Sequence, residues 1–121
     1  MLMSVNKVIL VGNVGKNPEI RYVDGRPYAT FSLATTERGY TTAQGVQVPE
    51  RTEWHNVVMW DRNAETAERY ITKGTKLYVE GKLRTRSWQD RNAINRTITE
   101  VVVDSFDILA RAVAQGVNEG R

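Results

Sequence analysis

Three tryptophans, Trp54, Trp60 and Trp88, are the side chains in this sequence best suited to recognise something flat. An indole has a broad π face on which a planar ligand can stack, nucleobases included. Trp54 and Trp60 lie in RTEWHNVVMWDR, residues 51–62, which reads as one β-strand. Strand alternation puts Trp54, Asn56, Val58 and Trp60 on one face and His55, Val57 and Met59 on the other. Both faces carry apolar groups, so this window alone allows the indoles to be either core or platform.

A second strand-like run settles the choice. Lys82, Arg84, Arg86 and Trp88 alternate with Leu77, Val79, Gly81 and Leu83 on the opposite face, so the aliphatic side is expected to be the core. Three cations and an indole make a poor core but suit a strand lined by phosphates and stacked bases. A solvated edge that discourages aggregation would explain the cations, though not an exposed Trp88. From Lys82 to Arg96 the cations Lys82, Arg84, Arg86, Arg91 and Arg96 face Asp90 alone, a local charge of +4 against +3 for the whole chain. The same logic turns Trp54 and Trp60 outward, with Val57 and Met59 inward.

Other chemistries find little support. The 121 residues include no cysteine, which excludes a thiol nucleophile, a disulfide framework and a thiolate metal site. His55 is the single histidine and has no partner for a usual zinc site. Gly12-x-x-Gly15-Lys16 runs into Asn17 and lacks Walker spacing. Neither a Ser/His/Asp arrangement nor a carboxylate cluster for a metal-dependent nuclease stands out. The expectation is a binding protein, not an enzyme, with no cofactor and no metal. The longest aliphatic run, Val8 to Val11, is too short to span a membrane, and the N-terminus has no basic segment leading into an apolar core. A cytoplasmic protein is expected.

The elements that must carry these residues are mostly strands. Val5 to Val11 reads as a first strand ending in a turn at 12–18, with Glu19 to Val23 as a short extended piece. Asp24-Gly25 signals a hairpin into a second strand, Tyr28 to Ala34. Residues 35–50 are polar, contain Gly39, Gly45 and Pro49, and read as a long mobile loop. Thr52 to Trp60 is the third strand. Asp61 is placed to cap a helix bearing Ala64, Ala67 and Ile71, with a Glu65/Arg69 pair and Gly74 as its stop. Thr75 to Trp88 and Arg96 to Phe106 complete five strands, and Ala110 to Gln115 is weakly helical. The fold class expected is all-β, a five-stranded OB-type Greek-key barrel with one short helix between the third and fourth strands. An SH3-like barrel or another small α+β domain fits the same pattern.

Four segments then carry a resemblance. VNKVILVGNVGKNPEIRY (5–22), TEWHNVV (52–58), KGTKLYVEGKLRTRSW (73–88) and TEVVVD (99–104) resemble the bacterial single-stranded-DNA-binding proteins of replication, recombination and repair, over about residues 5 to 107. The resemblance implies an OB fold, a homotetramer, and single-stranded DNA as partner, without catalysis or cofactor. Trp54 and Trp88 match stacking aromatics of the family, and Trp60 stands where phenylalanine is frequent. Tyr40, in TTERGY, is the counterpart of a further stacking tryptophan, displaced by one residue. Lys7, Arg62, Lys73, Arg84 and Arg86 match basic positions along the DNA path, whereas Asn56 and Ser87 stand where some relatives have cations. His55 falls at a subunit interface. The family continues into a Gly/Pro/Gln-rich tail with an acidic tip that recruits replication and repair proteins, and this chain stops at NEGR. Residues 1–109 are therefore expected to form the binding and oligomerisation domain and 110–121 a flexible remnant. Tail-dependent partners are expected of a full-length form alone. A nucleoid-associated location follows from the same resemblance. Alternatives are a primosomal or single-stranded-RNA-binding OB protein, or an oligomeric protein-interaction domain.

Overall fold

The computed structural model describes residues 3–112. Over them the chain forms β1 (Val8–Val14), β2 (Glu19–Val23), β3 (Arg26–Glu37), β4 (Tyr40–Thr41), β5 (Gln47–Val48), β6 (Arg51–Trp60), α1 (Asp61–Tyr70), β7 (Lys76–Gln89) and β8 (Asn95–Ala110). Six strands make one sheet in the order β1-β7-β8-β6-β3-β2, and a further β1–β3 pairing closes it into a barrel. The ring is thus β1-β7-β8-β6-β3, with β2 added outside it. The expected count of five strands is exceeded because the extended piece 19–23 joins the sheet and residues 35–50 hold their own two-stranded β4–β5 hairpin. That loop is tied by Val46 N–H donating to Thr42 Oγ1, with Gly45 at φ 87°.

Local chemistry explains the joints. Asp24 and Gly25 take φ of 51° and 79°, the paired positive values of a two-residue hairpin turn, and set Val23 opposite Arg26. Gly12, expected in a turn, lies inside β1 opposite Leu77. A Cβ there would stand 2.2 Å from the Ala34 carbonyl oxygen, so glycine lets β1 approach β3 where the barrel closes. Gly81 meets the same limit against the Val102 carbonyl, next to the β7–β8 register shift between Glu80 and Gly81.

Alternate residues of five strands point inward. Ala29, Phe31, Leu33, Val57, Met59, Leu77, Val79, Val101 and Val103 form the buried core with Val14. Leu83, expected with them, is 49% exposed because β7 has by then run past the barrel. The helix packs on β3 and β6 through Ala64 and Ala67, whose small side chains permit close approach. It stops at Tyr70, before Gly74, and Ile71 turns into the core in extended conformation. Gly74, at φ 94°, belongs to the following turn instead. Asp61 does not cap the helix: it is the first helical residue, at φ 57°, and its carboxylate is held by Arg26. No Glu65–Arg69 ion pair forms among the described residues. Ala110 ends β8, which removes the start of the expected weak helix, and residues 113–115 lie outside the described residues. No helix among the described residues is long and apolar enough to cross a membrane.

Candidate nucleic-acid interface

The outer face of β3 and β6 is built from cross-strand pairs. Trp54 stands opposite Ala34, Asn56 opposite Ser32, Val58 opposite Thr30 and Trp60 opposite Tyr28. Trp54 is 58% exposed and lies over Gly15, where a Cβ would come within 2.4 Å of the ring. Val58 is buried on this same face, so the row of four is not uniformly open. Trp60 is half-buried and tilts against Tyr28 with ring centroids 4.5 Å apart. An open groove of about 680 Å³ runs beside it, lined among others by Tyr28, Ser32, Asn56, Trp60, Arg86 and Glu100.

The β7–β8 hairpin adds the basic part. From Lys82 to Gln89 every residue is exposed, as are Arg91 to Thr97, so this arm projects beyond the barrel. Trp88 is 43% exposed, with the Arg86 guanidinium 5.4 Å from its ring centroid. Arg86 also makes two hydrogen bonds, 3.1 and 3.2 Å, to the Glu100 carboxylate, which is buried. The guanidinium therefore joins the Trp88 end of the arm to the groove. Pairing with Glu100 raises its already high pKa, so Arg86 is cationic at any working pH. At the tip, Asp90 accepts from the Asn92 and Ile94 amides and from Arg96, and these bonds hold its carboxyl below the usual aspartate range.

Not every residue expected at the site is gathered there. Lys7 is engaged 3.0 Å from Glu80, which also accepts from Tyr78. Trp88 lies eight positions beyond Glu80 along β7, about 27 Å of extended chain, so Lys7 serves the opposite end of that strand. Lys82, Arg84 and Arg91 lie exposed along the arm, and Arg62 is exposed on the first turn of α1. Lys73 sits in the turn before β7, its amide donating to Asn17, a neighbour of the groove residue Lys16. Tyr40 is 62% exposed on the β4–β5 hairpin. His55 points away from the groove, its Nε2 2.9 Å from Thr35 Oγ1. The sequence reading missed the groove residues Tyr28, Ser32 and Glu100, and also Arg26, whose guanidinium lies over Trp60. Alternation from Ala29, Phe31 and Leu33 would have put Tyr28 and Ser32 on the outer face. Nothing local marks Glu100, whose partner is fourteen residues away.

The fold and site define a class: a small closed barrel of the OB type, whose sheet face in that class takes oligonucleotides or oligosaccharides. The profile of the Single-strand binding protein family matches residues 5–109. A "Single-stranded DNA-binding protein" of Bacteroides thetaiotaomicron is 56% identical over 119 residues, 98% of this chain and 72% of that protein. The structure described as "Plasmodium falciparum SSB complex with ssDNA" superposes with a TM-score of 0.76 at 35% identity, covering 88% of this chain and 95% of that one. This chain belongs to the single-strand binding protein family.

Proposed function

We propose that this protein binds single-stranded DNA with little sequence preference, and so protects and organises exposed strands during replication, recombination and repair. The observation that carries the reading is the pair of open indoles, Trp54 on the outer face of β6 and Trp88 on the basic β7–β8 arm, together with the groove that Trp60 and Arg86 line. Bases offer π faces to such rings whatever their identity, each stack contributing about 1–3 kcal/mol, whereas a duplex hides those faces. Tyr40 extends the platform, and Lys73, Arg62, Lys82, Arg84, Arg86, Arg91 and Arg96 supply phosphate contacts. Lys7, already paired with Glu80, contributes least. The action is binding rather than catalysis.

Self-association belongs to the same reading. Val5, Ile9 and Val11 expose apolar side chains along the first strand and the segment before it, and His55 lies partly buried beside Thr35. A homotetramer formed by residues 1–109, with His55 at a subunit contact, is the assembly proposed. His55→Tyr is expected to shift sedimentation toward monomers at low concentration. A mutant still tetrameric there would remove His55 from the interface. Cytoplasmic residence near the nucleoid accompanies this function.

The deciding experiment titrates intrinsic tryptophan fluorescence with oligo(dT) at low and high salt, with a matched duplex as control. Strong quenching by the single strand, a weak duplex response and salt-weakened affinity are expected. No quenching at low salt would overturn the reading.

A further inference from the structure

Trp60 is the least exposed of the three indoles, and two side chains lie against it. The Arg26 guanidinium lies 4.6 Å from its ring centroid, and Tyr28 leans on it at 4.5 Å with a 44° interplanar angle. Arg26 is itself fastened. Its Nε and Nη2 donate to the two Asp61 carboxylate oxygens at 3.0 and 2.8 Å, a bidentate fork over a half-exposed pair. Asp61 follows Trp60 directly and holds φ 57°, so the carboxylate is carried on the same corner as the ring it helps to shield. In the free protein no base can stack on the face that Arg26 occupies.

A phosphodiester presents the same pair of acceptor oxygens as a carboxylate and can take over the guanidinium fork. Resting on the single-strand reading above, we propose that Arg26 and Asp61 form a phosphate-exchangeable latch over Trp60: single-stranded DNA draws Arg26 from Asp61 onto its backbone and opens the indole to a base. Tyr28, which leans on Trp60 and lines the groove, is then a further stacking aromatic of the site. The exchange has an electrostatic signature. A phosphate neutralised by Arg26 releases counterion, but the Asp61 carboxylate left behind recruits cations, so in the wild type Arg26 adds little to the salt dependence of binding. With the carboxylate removed, Arg26 is available from the start and adds its full increment, about 0.7 in the log–log slope for a single strand.

Asp61→Asn is the informative variant, since asparagine tolerates positive φ and keeps the corner intact. Measured with oligo(dT) against salt, it is expected to bind about two- to fivefold tighter at low salt, the range of an exposed ion pair. Its slope should steepen by about 0.7. An unchanged slope would overturn the latch. Simple removal of a repulsive charge is separated by repeating Asp61→Asn in an Arg26→Gln background, where the latch requires the gain in slope to vanish. A gain that persists there would overturn it. With Trp60 left as the sole indole by Trp54→Phe and Trp88→Phe, Arg26→Gln must raise quenching of its fluorescence by neutral acrylamide, and unchanged quenching would show that Arg26 does not cover the ring. Failure of the wild type to bind oligo(dT) at all would instead sink the single-strand reading itself.

Discussion

One β7–β8 ladder serves two physical purposes along its length. Near the barrel, Leu77 and Val79 are fully buried and Gly81 packs under Val102 and Val103. Beyond Lys82 the same strands stay paired as far as Gln89 and Asn95, yet nearly all their side chains face solvent. The difference shows that backbone pairing can be extended without a core, provided that cross-strand contacts replace burial. Thr85 and Thr99 are hydrogen-bonded at 2.9 Å, Arg86 reaches back to Glu100, and Arg96 holds Asp90. The projecting arm is thereby free to carry charge and an indole that a core would reject.

The sharpest way to break this comparison is to truncate a leucine at each end. Leu77→Ala removes a fully buried side chain and is expected to cost about 2–5 kcal/mol in urea unfolding. Leu83→Ala, six residues on and 49% exposed, should stay within about 0.5 kcal/mol. Equal losses would mean that the arm has a core of its own, contributed by another subunit.

The next test concerns two arginines on one face of β7. Arg86→Met leaves the buried Glu100 carboxylate without its partner and is expected to lower unfolding free energy by about 1–3 kcal/mol, toward the lower end because Arg86 is itself half-exposed. Adding Glu100→Gln should recover part of that loss. Arg84→Met, with no such partner among the described residues, should leave stability unchanged and weaken DNA binding. Were the two variants equally stable, Arg86 would be a phosphate contact alone.

An effect of similar size belongs to binding instead of folding. Trp88→Ala is expected to weaken oligo(dT) binding by about 1–3 kcal/mol with no change in the thermal midpoint. A lowered midpoint would place Trp88 among the structural side chains of the arm.

The same division governs how much was legible beforehand. Inside the barrel, period-two alternation identified Val57, Met59, Leu77 and Val79 as core, because each strand there has one dry face. The Asp24-Gly25 turn was equally readable, since few residue pairs accept two positive φ values. Alternation failed at Leu83, where pairing outlasts the barrel, and the turn signal misled at Gly12, where a glycine permits barrel closure within a strand. At the site, the indoles and the basic arm were visible as residue types. The engagement of Arg26 with Asp61, Lys7 with Glu80 and Arg86 with Glu100 was not, because each ion pair joins positions far apart in sequence. Charge counts alone therefore overstate the free cations on the proposed DNA face.

Asp90 offers the smallest and most local test. Its carboxyl is held below the usual aspartate value first by the Ile94 amide, then by the Arg96 guanidinium. A folded-state pKa depressed in this way contributes order above the unfolded value, near 3.9, and that contribution is lost as pH falls through the depressed one. Amide shifts of Asn92 and Ile94, followed by NMR from about pH 5 to about pH 2, are expected to move together below the ordinary aspartate midpoint while core amides such as Val79 stay fixed. Titration at an ordinary midpoint would show that the turn does not hold its carboxylate. The consequence reaches the proposed DNA face: protonating Asp90 breaks the bond to Arg96 and frees a second cation beside Arg91. In Asp90→Asn at neutral pH, that release should appear as a slightly steeper salt dependence of oligo(dT) binding with barrel stability unchanged.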